Sequence, residues 1–224
     1  MTRWTHDYGV AWVVLPKSAM ENRRAACKIE CVSSLVEQVE IGHNVISADA
    51  DLYFLKDPFT AFEYEFDLGL TTRGYKYHYP INAGVIFHKI SPEMKDLYSF
   101  IRSQVLDPTW PEYVAYKQHW GHKRFGLDWA VGQDLYNVIW LHQKFILENF
   151  SIEVRDVGPD YNFCPHTDGM FIEEGKEKVV EAYKQKSVSV IHLKSKLKDL
   201  VYEDVFDDAI TIHERGPRNW MKNE

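Results

Sequence analysis

A break of two acids between two apolar runs constrains this chain more than any other stretch. Val45-Ile-Ser-Ala48 is followed by Asp49-Ala-Asp51 and then by Leu52-Tyr-Phe-Leu55. A carboxylate buried without a partner is costly, so the apolar runs read as buried strands and the acids as the point where the chain meets solvent or a ligand. Upstream, Ala25, Ile29, Val32, Val36 and Val39 recur at helical spacing and form one face of an amphipathic helix. Ser18-Ala-Met-Glu21 has the form of a capping box at its start, and Gly42 closes it. An earlier apolar run, Val10–Leu15, reads as a strand ended by Pro16. Strand, helix, strand in this order predicts an α/β fold with an at least partly parallel sheet.

The rest of the chain agrees with that class. Phe66–Thr71 and Ile81–Phe87 read as strands around the polar aromatic stretch 73–79, and Ser91-Pro92-Glu93 is a helix start that should carry on to Leu106. Asp107–Gly126 has no clean period and reads as a long loop. Helices follow over Trp129–His142 and Glu174–Lys186, then a strand over Ser187–Leu193 and a charged, loop-like tail from Lys194. With 224 residues, 45% hydrophobic and 26% charged, the chain reads as one domain, 1–224, that folds without a disulfide or metal. Cys27, Cys31 and Cys164 are an odd number without framework spacing, and Cys27 and Cys31 read as small buried hydrophobes. No apolar run approaches the ~18 residues of a membrane span, no signal peptide opens the chain, and the sequon Asn149-Phe150-Ser151 is too short to fix a compartment.

Thirty-three acids against 26 Lys and Arg give a net charge of −7, which argues against a nucleic-acid partner. A polyphosphate ligand then needs a local cation. Asp49 and Asp51 offer a place for one: residues two apart on an extended chain face the same side, at the carboxyl end of a strand where α/β sheets bind ligands. Oxygen donors suit a hard ion such as magnesium or manganese. Solvated acids at a capped strand end account for the motif equally well. Asn82 presents donors and acceptors to hydroxyl groups, and Gly84 leaves room for a close approach, though a buried strand with one satisfied Asn has the same sequence.

The stretch Asp49-Ala-Asp51 with Lys56-Asp57-Pro58 resembles the Asp-x-Asp region of nucleotide-sugar glycosyltransferases of the GT-A fold. The nearest likeness is to the retaining families of glycogenin, bacterial lipooligosaccharide galactosyltransferases and plant cell-wall xylosyltransferases. Lys28 on the preceding helix matches the family's basic residue. Ile81-Asn82-Ala83-Gly84-Val85 is similar to the strand whose Asn reaches the donor sugar. Gly132-Gln133-Asp134-Leu135-Tyr136-Asn137 is similar to the Asp-Gln-Asp motif beside the anomeric carbon, with Gly132 in place of the first acid and Asp128 one turn earlier as a substitute. His192-Leu-Lys-Ser-Lys-Leu-Lys198 looks like the family's His-x-x-Gly-x-x-Lys, with Ser195 in place of Gly and Asp199-Leu200 in place of Pro-Trp.

This resemblance, over residues 20 to 200, implies a GT-A type, Rossmann-like mixed, mostly parallel central sheet flanked by helices. The family's N-terminal nucleotide-binding unit is then expected in shortened form over Thr2–Tyr8, the alternatives being a fragment or a divergent short form. It implies a Mn2+ or Mg2+ held by Asp49, Asp51 and His192, and a nucleoside-diphosphate sugar, by preference a uridine one, bound by Lys28, Asp49, Asn82, Ala83, Gly84 and Lys198. Gln133, Asp134 and Asp128 surround the reacting carbon, and a glycan or glycoconjugate hydroxyl accepts the sugar. Front-side attack retains configuration, whereas Asp128 or Asp134 acting as base from the opposite face inverts it. The aromatics Trp110, Tyr113, Tyr116 and Trp120 form either an acceptor platform or ordinary packing. Two rivals remain. One is a catalytically degenerate sugar- or nucleotide-binding protein on the same fold. The other is a phosphohydrolase with Asp49 as nucleophile, against which Tyr53 stands where that family has Thr.

Overall fold

The computed structural model describes residues 17–49, 51–73, 79–120, 131–165, 172–194, 197 and 200. The strand read at Val10–Leu15, the segment Thr2–Tyr8, Asp128 and Lys198 lie outside these. The chain divides into two compact units, neither of them a continuous stretch. One holds Asp49–Pro58 and the described residues from Phe163 onward; the other holds those of Val13–Ala48 and Phe59–Asn162. The structure is mixed α/β, and no helix among the described residues is long and apolar enough to cross a membrane.

In the larger unit, helix α1 (Lys17–Gln38) takes in Ser18, so that residue lies within the helix and not at its cap. Ile29, Val32 and Val36 of its periodic face are buried. The sheet runs β1 (Asn44–Ala48), β4 (Val85–Lys89), β3 (Leu68–Leu70), β5 (Val154–Asp156). β4 lies antiparallel to both β1 and β3, and only β3 with β5 is parallel, so the expectation of a mostly parallel sheet fails among the described residues. The neighbour of β1 is not a strand reached by a helical crossover but β4, which runs the other way with Ala48 opposite Val85. The strand read from Ile81 also starts later. Ile81 makes one bridge to Thr72, Asn82–Gly84 turn, and regular pairing begins at Val85.

Strand alternation gives β4 two buried faces. Ile86 belongs to the core made with α1, α2 (Pro92–Leu106) and α4 (Val131–Leu141), while Phe87 stacks edge-on against Phe62 and Tyr161. A strand covered on both sides is apolar on both faces, as Val85, Ile86 and Phe87 are here, while His88 is buried with polar partners and Lys89 is half-buried. Helix α2 starts as its sequence demands: the Ser91 side chain accepts from Met94 N at 3.1 Å, with Pro92 in the first turn.

The long loop expected over Asp107–Gly126 is instead a helix in part, α3 (Pro111–Trp120). Its buried face is Trp110, Tyr113 and Tyr116, a three-residue spacing hidden by the use of amphipathic aromatics in place of aliphatics. Buried Gln104 pins the entry, accepting from Thr109 N and Trp110 N at 2.8 and 2.6 Å. Trp110, Tyr113 and Tyr116 belong to the core, and the side chain of Trp120 lies outside the described ones. The short helix α5 (Gln143–Phe150) and β5 have no counterpart in the sequence reading.

In the smaller unit, β2 (Leu52–Phe54) pairs antiparallel with β6 (Val190–His192), and Phe163 bridges the far side of β6. Helix α6 (Ile172–Gln185) supplies Val179 and Ala182 to a core with Tyr53, Val188, Ile191 and Leu193. Leu197 and Leu200, read as part of a loop-like tail, are buried in that core.

Two features of the larger unit make stability predictions. A Cβ on Gly69 would stand 2.8 Å from Val157 Cγ1 and 3.0 Å from Phe87 Cβ, so Gly69→Ala should cost about 1–3 kcal/mol in urea unfolding. Buried His88 lies between the Ser47 hydroxyl at 3.1 Å and the Tyr98 hydroxyl at 3.1 Å, and Tyr98 in turn meets Tyr136 at 2.9 Å. Burial, then the Lys28 charge, pushes its imidazole down to about 3. The unfolded chain therefore takes up this proton near pH 6.5 while the folded chain refuses it, and stability is lost as pH falls between those values. Unfolding free energies from urea titrations should fall by about 2 kcal/mol between pH 7 and pH 5 from this residue, approaching about 1.4 kcal/mol per pH unit only below about pH 6, a component that His88→Gln removes.

Candidate metal centre

Asp49 follows directly on β1, and Asp51 directly precedes β2. His192 ends β6, opposite Leu52 across the antiparallel ladder. The register is held at this end by Leu193 N donating to Asp51 O at 2.9 Å, and His192 N donates to Phe163 O at 2.8 Å on the other flank. Backbone pairing of two short strands thus carries an imidazole from far downstream to the two acids.

His192 Nε2 lies 3.2 Å from Asp51 Oδ1 and 3.7 Å from Asp49 Oδ2, and one ligand atom from each residue falls within 4.8 Å of the others. Adjacent donors around a small ion at about 2.1 Å lie about 3 Å apart, so this set closes on an ion with small side-chain rotations. The imidazole is fully buried, while Asp49 and Asp51 are 33% and 18% exposed. Burial lowers the affinity of His192 for a proton, and Lys194 adds to that; the hydrogen bond to Asp51 and the charges of Asp51 and Asp49 oppose it without reversing it. The imidazole is thus neutral at neutral pH, the form that donates a lone pair to a metal. Two carboxylates and a neutral imidazole are a hard-to-borderline donor set, suited to Mn2+ and tolerant of Mg2+.

Lys28, Asn82, Ala83, Gly84, Gln133 and Asp134 lie in the larger unit. Lys28 Nζ donates to Ala83 O at 2.6 Å, tying α1 to the turn Asn82–Gly84. Asn82 is buried, and its Oδ1 accepts from Gly84 N at 3.3 Å. On α4, Gln133 Oε1 accepts from Arg73 Nη2 at 3.3 Å, and Asn137 Oδ1 accepts from Ile81 N at 2.9 Å. Arg73, Thr71 and Asn162 were not singled out in the sequence. Asn162 follows the turn Gly158-Pro159-Asp160-Tyr161, whose Gly and Pro were the one local signal of a fixed backbone there.

Asp134 is 4% exposed, and its Oδ1 has no hydrogen-bond partner among the described residues. Burial pushes its carboxyl up to about 7, with the nearby Lys117 charge pulling the other way. Tyr113 and Tyr116 of α3 feel the same carboxylate, which together with their own burial raises both phenols. Asp134 is therefore a group that can hold or release a proton near neutral pH.

No protein-family model matches the chain, and no curated protein and no solved structure matches it.

The unfolded chain sheds the Asp134 proton near pH 4 while the folded chain keeps it to about 7, so this residue costs stability as pH rises through that window. Asp134→Asn should raise stability at pH 8 by on the order of 2–4 kcal/mol and leave it nearly unchanged at pH 4. Urea titrations of both chains at the two pH values check this.

Proposed function

We propose that this chain is a metal-dependent glycosyltransferase that moves a hexose or pentose from a nucleoside-diphosphate sugar, by preference a uridine one, to a hydroxyl of a glycan or glycoconjugate. The observation that carries the reading is the meeting of Asp49, Asp51 and His192. An Asp-x-Asp at a strand end is common by chance. An Asp-x-Asp with a buried, neutral imidazole 3.2 Å from one of its carboxylates is a donor set for a divalent ion, made from the residues that the resemblance to GT-A transferases picks out.

A divalent ion bound there would supply positive charge against the negative charge that builds on the diphosphate as the glycosidic bond breaks. The protein's part is to hold the donors still. His192 is fixed by its ladder position and by the bond from its backbone N–H to Phe163 O, and Asp51 by the bond its carbonyl accepts from Leu193. Both partly exposed acids keep one side toward solvent, where a diphosphate can arrive.

The resemblance adds the sugar end: Asn82, Ala83 and Gly84 toward its hydroxyls, Gln133 and Asp134 toward the reacting carbon. The bond from Arg73 orients the Gln133 carboxamide. An amide is a poor nucleophile, which favours front-side attack with retention. Asp134, with its proton affinity raised to about 7, is the group of this set able to exchange a proton at neutral pH. Lys28 departs from its family role in one respect, since its ammonium donates to the Ala83 carbonyl.

A thermal-shift screen of nucleotide-sugars with and without Mn2+ tests the proposal. A ligand present at about 100 times its Kd should raise Tm by roughly 5–10 °C, and only when Mn2+ is present. Asp51→Asn should keep the fold and lose the metal-dependent shift. A chain whose Tm responds to no nucleotide-sugar or nucleoside diphosphate, with or without metal, overturns it.

A further inference from the structure

We propose that Asn162 is a positioning residue for sugar recognition, holding the Asn82–Gly84 turn in the one shape that can meet a donor's hydroxyls. This rests on the reading of that turn as a sugar contact. Asn162 lies far along the chain from the turn and is 5% exposed. Its Nδ2 donates to Asn82 O at 2.9 Å and to Thr71 Oγ1 at 2.7 Å. Thr71 Oγ1 itself donates to Asn82 O at 3.0 Å, and Asn82 N donates to Thr71 O at 2.9 Å.

The direction of each bond in this knot is forced. A carbonyl oxygen only accepts, so the Thr71 hydroxyl spends its single hydrogen on Asn82 O. Thr71 Oγ1 must then accept from Asn162, which requires the nitrogen of that amide, and not its oxygen, to point inward. Both hydrogens of the amide are used, and both accepting sites of the Asn82 carbonyl are filled. The peptide plane between Asn82 and Ala83 therefore cannot rotate without breaking two buried bonds.

The next carbonyl is held as well, by Lys28 Nζ at 2.6 Å on Ala83 O, and the Asn82 side chain closes back on Gly84 N. Two segments remote in sequence thus fasten consecutive carbonyls of a three-residue turn. Where the only need is a filled core, apolar residues of similar volume serve as well or better than buried polar groups. A buried amide with both hydrogens directed at one turn and its strand partner is explained by the need to fix that turn's geometry. Such sites must be held to about half an ångström to bind productively.

The discriminating measurement is calorimetry in Mn2+, comparing each of a panel of UDP- and GDP-sugars with the matching nucleoside diphosphate. The full-length chain should bind a nucleotide-sugar more tightly than its nucleoside diphosphate. Asn162→Asp places an acceptor against two atoms that need a donor there, and should reduce that sugar-dependent gain by about tenfold or more while leaving nucleoside diphosphate affinity within about twofold. Thr71→Val, which removes one of the two bonds to Asn82 O, should act in the same direction even where Asn162→Asp fails to fold; Thr71→Ser should restore the gain. A merely structural Asn162 lowers Tm but leaves the sugar-dependent gain intact in folded variants, and that result overturns the inference alone. Wild-type chain that binds no nucleotide-sugar overturns the proposed function, and this inference with it.

Discussion

The pairing of β2 with β6 is the constraint on which the candidate centre depends. Three residues on each side form the ladder, with Leu52 opposite His192, and the bond from Leu193 N to Asp51 O extends it to the acid itself. Side chains alternate along a strand, so a slip of one residue would turn His192 away from the acids and bring Ile191 or Leu193 to them. The buried faces resist such a slip, because Ile191 and Leu193 belong to the apolar core that α6 covers. The same hydrophobic packing that stabilises the small unit therefore sets the geometry of its polar end.

The larger unit uses buried polar groups in a similar way. His88 sits between two hydroxyls, Asn137 caps the free N–H of Ile81, Gln104 gathers two backbone N–H groups at the mouth of α3, and Asn162 ties Thr71 to Asn82. Each joins an irregular segment to a regular one, where backbone groups leave the ladder and need other partners. Asp134 stands apart from them, since its Oδ1 is buried without a partner among the described residues. A group kept in that condition is a recurrent mark of sites that exchange protons.

Elements with aliphatic periodicity or strong caps were legible before any coordinates. The face Ile29, Val32, Val36 of α1, the Ser91-Pro92 start of α2, the two strands around the acids and the helix of Leu135 and Val138 all lie where their patterns predict. What escaped was of two kinds. Helix α3 buries Trp110, Tyr113 and Tyr116, whose polar atoms disguise an apolar stripe, and β5 is a three-residue strand too short to have a period. The direction of the sheet also escaped, because strand order is a property of which strands find each other and not of any one strand's residues.

For the site the division is similar. Local sequence alone determined that Asp49 and Asp51 stand together at a strand end, since two residues of extended chain leave little freedom, and it marked Asn82 as a polar residue within an apolar run. Only tertiary structure decided that His192 joins the acids, that Lys28 is engaged with Ala83 O, and that Asn162 holds the turn. Contacts between remote residues arise from the register of paired strands and the packing of side chains around them. Neither is encoded in a single segment; both emerge when the whole chain buries its apolar surface and must satisfy the polar groups buried with it.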